Sequence, residues 1–141
     1  MSENNASYQS WLESFAAEHG AAAGTIHVRR GEDLELVAAL NIPPPVVNAV
    51  RHVPHGKGMA GLAQVRRAPV QTCNLKEDDT GRLKPGAKAV DARAAVALPV
   101  LDATGRVRAV VGIAFMAEGE IPAEREQALM AAAARLPLAD A

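Results

Sequence analysis

The segment Val53-Pro54-His55-Gly56-Lys57-Gly58-Met59-Ala60-Gly61-Leu62-Ala63 constrains the fold more than any other stretch of this chain. Two glycines spaced two apart release the backbone from a strand into a tight turn, because glycine reaches positive φ without steric cost. Gly61 then falls in the first turn of what reads as a helix over 59–66, with Arg66 and Arg67 where cations favour its carbonyl end. Such a turn can present backbone donors to an anion, or it can simply let a helix pack closely on a sheet. It is not a phosphate loop: Lys57 precedes the last glycines and no Gly-Lys-Ser/Thr ending follows.

The flanking pattern fixes the rest of the layout. Residues 1–7 read as a tail, after which Trp11, Leu12, Phe15, Ala16 and His19 recur at helical spacing until Gly20 stops the helix. Residues 25–28 alternate like a strand, 29–33 supply a turn, and 34–40 form the hairpin partner. Residues 41–45 are a proline-stiffened link, followed by one or two helical turns over 46–50. Pro69 opens an edge-like strand over 69–72, and 74–88 is the most polar, loop-like segment. Strands over 94–100 and 107–115 meet at Asp102-Ala103-Thr104-Gly105, a good hairpin turn. Pro122 suits a first helical position, with Glu124 and Glu126 in the first turn. Leu129, Ala132, Ala133 and Leu136 then make an apolar stripe that Pro137 ends.

The result is an α+β fold: one domain over 8–137 with short tails at 1–7 and 138–141, and a central antiparallel sheet of five to six strands. The strands are apolar for long stretches, so both sheet faces need cover. The simplest packing puts the two terminal helices on one face and the central helix on the other, leaving a cavity beneath it. The many alanines read as compositional bias that adds little burial, so the core rests on valine, leucine and isoleucine.

Bulk properties exclude several classes. A length of 141 residues allows one domain with a substantial core. A net charge of -1 gives no pull toward nucleic acid or an anionic membrane. The polar start Met1-Ser2-Glu3-Asn4-Asn5 is no signal peptide, and no apolar run approaches the roughly 20 residues of a membrane span. One cysteine rules out an internal disulfide framework and suits a reducing compartment. A cytoplasmic location is expected.

Read in order, the glycine segment at 53–61, Pro69-Val70, Ala97-Leu98-Pro99-Val100, Gly105, Val110-Val111-Gly112-Ile113 and the closing helix from Pro122 resemble the GAF family over 12–136. That resemblance implies a profilin/PAS-like architecture with a ligand pocket opposite the paired terminal helices, and dimerisation through those helices. It does not imply one ligand, since cyclic nucleotides, bilins, haem, small anions and amino acids all occur; the cofactor stays unknown. One branch of the family reduces free methionine-R-sulfoxide with cysteines. Where that branch has a cysteine before the third glycine this chain has Ala60, and 74–97 contains no cysteine either. No catalytic residue is therefore expected. Nothing singles out a cysteine or histidine for a tetrapyrrole.

Met59, Leu62, Thr72 and Val96 are the residues expected between central helix and sheet, as core filling or as an apolar pocket wall. Gly56, Gly58 and Gly61 shape the turn beside them. Cys73, at the loop mouth, is either a redox or attachment site or a small buried hydrophobe. Arg82, Lys84, Lys88 and Arg93 could close over an acidic ligand, arginine supplying a bidentate clamp, or simply form a solvated loop. His52 and His55 flank Val53-Pro54 without an acidic or cysteine partner nearby in sequence, and His27 has the same standing, so no metal is expected. The expected function is a non-catalytic sensor that binds a small molecule, an anion among the candidates, and reports through a homodimer or a regulatory protein partner. The competitors are a dimerisation or scaffold module with a lost pocket and, less favoured, a thiol-dependent reductase acting through Cys73.

Overall fold

Long apolar strands punctuated by hairpin turns pair into one antiparallel sheet in the computed structural model. The model describes residues 2–72, 94–116 and 120–137, with side chains from Ser7 onward. In chain order the elements are α1 (Ser2–His19), β1 (Ala23–Arg30), β2 (Asp33–Leu40), α2 (Pro44–Ala49) and β3 (His52–Val53). They continue with α3 (Gly58–Arg66), β4 (Val70–Thr72), β5 (Ala94–Leu101), β6 (Val107–Phe115) and α4 (Ala123–Ala133). The sheet runs β3-β2-β1-β6-β5-β4, with every neighbouring pair antiparallel.

Strand alternation sends successive side chains to opposite faces, and here the faces bury against different helices. One face carries Ile26 and Val28 of β1, Val111 and Ile113 of β6, and Val96, Leu98 and Val100 of β5. These pack with Tyr8, Leu12 and Phe15 of α1 and with Leu129 and Ala133 of α4. Terminal helices thus share one face, as expected. On the other face α3 covers Leu34, Val53, Val70, Ala97, Val107 and Val110 through Ala63, Met59, Ala60 and Leu62.

Two boundaries differ from the sequence reading in ways proline explains. Pro44 and Pro45 lie inside the expected link yet begin α2, because the first helical turn needs no amide hydrogen from them. Pro122 sits just outside α4 rather than at its first position, with φ -58° and ψ 150°. These are polyproline-type angles, so it contributes its carbonyl to Glu126 N–H at 2.9 Å while the helix starts at Ala123. At the other end of the chain α1 begins at Ser2, within the stretch assigned to a tail.

The β5–β6 hairpin closes on Asp102. Its Oδ1 accepts from the Thr104 hydroxyl at 2.6 Å, the Thr104 N–H at 2.8 Å and the Arg106 N–H at 3.1 Å. The Thr104 hydroxyl is the largest cause of a carboxyl held below its ordinary range; the two backbone donors and Arg29 add to it against partial desolvation. A carboxyl lowered in the folded state stabilises above its unfolded pKa, and that contribution is lost as pH falls through the folded value. Asp102→Asn, which keeps one acceptor and removes the charge, is expected to lower the urea midpoint at neutral pH. The gap from wild type should narrow in acid; a gap independent of pH would show that the charge contributes nothing.

Candidate functional site

The floor of the site comes from residue size and strand register together. Three rows of cross-strand neighbours cross β1, β6 and β5 on the α3 side of the sheet. The first is Ala23, Ala114 and Ala95; the second is Thr25, Gly112 and Ala97; the third brings His27 beside Val110. Two of the three rows hold nothing larger than threonine, so the helical layer cannot sit down onto the sheet. Ile42, Val46 and Val50 wall the gap from the α2 side, Val53 from β3, and Lys57, Gly58, Met59 and Ala60 from the start of α3. The space between them is a cavity of about 160 Å³, open to solvent on one side.

His27 fastens one wall to this floor. The imidazole is 97% buried as judged by its 3% exposure, and its Nε2 lies 2.8 Å from the Val50 carbonyl oxygen. A carbonyl only accepts, so Nε2 carries the hydrogen. Val50 caps the C-terminal end of α2, and the bond therefore ties that helix to β1.

The glycine turn fixes the opposite wall. Gly56 and Gly58 have φ of 79° and 65°, the left-handed region that other residues avoid. A Cβ on Gly61 would lie 2.8 Å from the Gly56 carbonyl carbon, so α3 can rest on the turn only with glycine there. The turn is pinned from the β1–β2 hairpin. Asp33 Oδ1 accepts from His55 N–H at 3.0 Å, Asp33 Oδ2 lies 3.0 Å from His52 Nε2, and Gln64 Nε2 donates to Glu32 O at 3.1 Å. No acidic partner lies near His52 and His55 in sequence; β2–β3 pairing brings Asp33 to them from 19 and 22 residues away. Among the described residues no group of three His, Cys, Asp or Glu side chains could hold a metal ion.

Of the residues singled out from sequence, Met59 and Gly58 line the cavity. Val96 borders it, but its side chain belongs to the cluster under the terminal helices. Leu62 packs with Leu34, Val53 and Ala63 instead, and Thr72 is buried at the end of β4 opposite Ala95 without lining the space. Gly56 and Gly61 form the turn that carries α3. Cys73, Arg82 and Arg93 lie outside the described residues. Sequence reasoning missed Thr25, His27, Ala97 and Gly112 as cavity residues. For Thr25, Ala97 and Gly112 the signal is the recurrence of small residues at alternate positions of three strands, which composition alone does not separate from alanine bias.

On the far face the terminal helices are joined to the sheet by polar clamps. Arg125 donates to the His19 carbonyl at 3.0 Å while its guanidinium lies 4.7 Å from the Phe115 ring centroid. The Gln71 amide of β4 receives Ile121 N–H at 2.8 Å and donates to Glu126 at 2.6 Å, holding the entry to α4. Trp11 and Phe15 stack at 4.8 Å and, with Ala132 and Arg135, line a groove of about 140 Å³ between α1 and α4.

Among the described residues, a six-stranded antiparallel sheet with paired terminal helices on one face and an apolar cavity under a short helical layer on the other defines a small α+β module. The chain belongs to the GAF domain family, whose model matches residues 9–136. Solved structures of similar fold include the type II free methionine-R-sulfoxide reductase of Thermoplasma acidophilum. Its TM-score is 0.77 at 16% identity, over 96% of this chain and 92% of that one. Another is the GAF domain of an Acinetobacter phosphoenolpyruvate-protein phosphotransferase, at TM-score 0.76 and 17% identity, over 94% and 79%. A third is a GAF domain/HD domain protein of Geobacter sulfurreducens, at TM-score 0.74 and 9% identity, over 94% and 88%. No curated protein matches the sequence significantly. The sequence holds a single cysteine, so two cysteines of this chain cannot relay a disulfide between them. No helix among the described residues is long and apolar enough to cross a membrane.

Proposed function

We propose that this chain is a sensory GAF module that binds a small molecule in the cavity and passes occupancy on without bond chemistry. The cavity carries the reading: alanine and glycine rows hold it open where ordinary core residues would have filled it. A side-chain-filled interior would have favoured a scaffold with a lost pocket, and an open one favours a ligand. Occupancy has a physical route to the far face, since β5 and β6 turn one set of side chains to the cavity and the alternate set to α1 and α4. The groove at Trp11 and Phe15 offers those helices a surface for a second copy of the chain or for a regulatory partner.

Native mass spectrometry of gently purified protein, set beside a denatured spectrum, tests this. The expected result is excess mass that disappears on denaturation, on a species of one or two chains. Bare protein at native mass, followed by no thermal shift with anions, amino acids, nucleotides or apolar compounds, would overturn the sensor reading.

A further inference from the structure

Resting on that reading, we infer that the cavity takes an uncharged, one-ring or similarly compact apolar molecule carrying at most one hydroxyl or carbonyl. Size is the first argument. An engineered apolar cavity of about 150 Å³ holds benzene, and the space here is about 160 Å³. A tetrapyrrole macrocycle could not be contained in that space.

Lining chemistry is the second. Among the described residues the cavity meets alanine, valine, isoleucine, methionine and glycine almost throughout; Thr25, His27 and Lys57 are its polar side chains. The His27 Nε2 hydrogen is directed to Val50 O, and Lys57 is exposed at the start of α3. Against this described lining an anion would lose its hydration with no buried cation beside it, so this part of the site favours an uncharged group. Thr25 remains on the floor as the polar handle. Its hydroxyl oxygen stands 3.0 Å from where a Cβ of Gly112 would be, so the glycine leaves room directly over the hydroxyl. A ligand hydroxyl or carbonyl can reach Thr25 there while the ring lies over Ala97 and beneath Met59.

Toluene and phenol, with benzoate as the anionic control, are the probes. Titration of the full chain is followed by amide chemical shifts and by thermal midpoint. The expected result is saturable binding of toluene and phenol with shifts centred on Thr25, Met59 and Gly112, and none with benzoate. Ala97→Leu, which fills the floor, is expected to keep or raise the thermal midpoint and weaken both probes more than tenfold. If that variant misfolds, Ala114→Val serves the same purpose. Thr25→Val should weaken phenol several-fold and leave toluene unchanged. Toluene and phenol that fail to bind, or that bind Ala97→Leu as well as wild type, would overturn the inference. A retained nucleotide or anion in native mass spectra would also overturn it while leaving the sensor reading intact; bare protein unresponsive to every class would overturn both.

Discussion

Gly61→Val is expected to cost about 3 kcal/mol of stability, the upper end for overpacking a well-filled contact, and to abolish ligand binding with it. The atom in the way is the Gly56 carbonyl carbon at 2.8 Å from the new Cβ, with Gly56 N at 3.0 Å behind it. Neither is the tip of a flexible side chain, so the turn or the helix must move as a unit. The turn resists, because Asp33 holds His55 N–H and Gly56 is already committed to positive φ. The helix can lift only by dragging Gly58, Met59 and Ala60 off the cavity. Urea titration reads the stability, and the ratio of amide shifts in α3 to those elsewhere reads the displacement. An unchanged midpoint would mean that the contact is far looser than its geometry.

The second large effect lies on the opposite face. Leu12→Ala is expected to destabilise by about 2–5 kcal/mol, the range for emptying a fully buried leucine site. Leu12 has no exposed surface, and its Cδ1 sits 3.0 Å from where a Cβ of Gly24 would project. The leucine therefore occupies the space that Gly24 leaves, and α1 is keyed to β1 at that point. Gly24→Ala alone should also destabilise, whereas in the Leu12→Ala background it should cost less, because one of its two tight contacts is gone and the Gly112 carbonyl at 3.1 Å is the tight one that remains. A double-mutant cycle measures this coupling. Strict additivity of the two changes would show that the key and its slot do not meet.

The sequence was most legible where a local rule decides the structure. The turn at Asp102-Ala103-Thr104-Gly105 and the strand Val107–Phe115 follow from turn chemistry and β-branched runs. The glycine segment announces a strand-turn-helix because its φ demands are local. Strand faces were harder. β2 carries a bulge where Ile26 pairs with Ala38 but His27 pairs with Leu36, so strict alternation misassigns the side chains beyond it. The cavity floor was illegible for a different reason. Ala23, Thr25, Ala95, Ala97, Gly112 and Ala114 are scattered through the chain and become one surface only when β1, β6 and β5 pair in a particular register. Small residues leave no hydrophobic signal to count; their effect is the volume they decline to fill. Val96 borders the cavity, yet the register turns its side chain to the cluster under the terminal helices, which its apolar character alone does not reveal.

The β3 border of the sheet is unequal to its interior: it contributes two residues, whereas β2, β1, β6 and β5 run eight or nine. Strand-by-strand addition needs a long row of free amides and carbonyls, and so brief a border offers a newcomer little to zip against. Along that edge the sheet is poorly suited to growing sideways into fibres or continuous sheets.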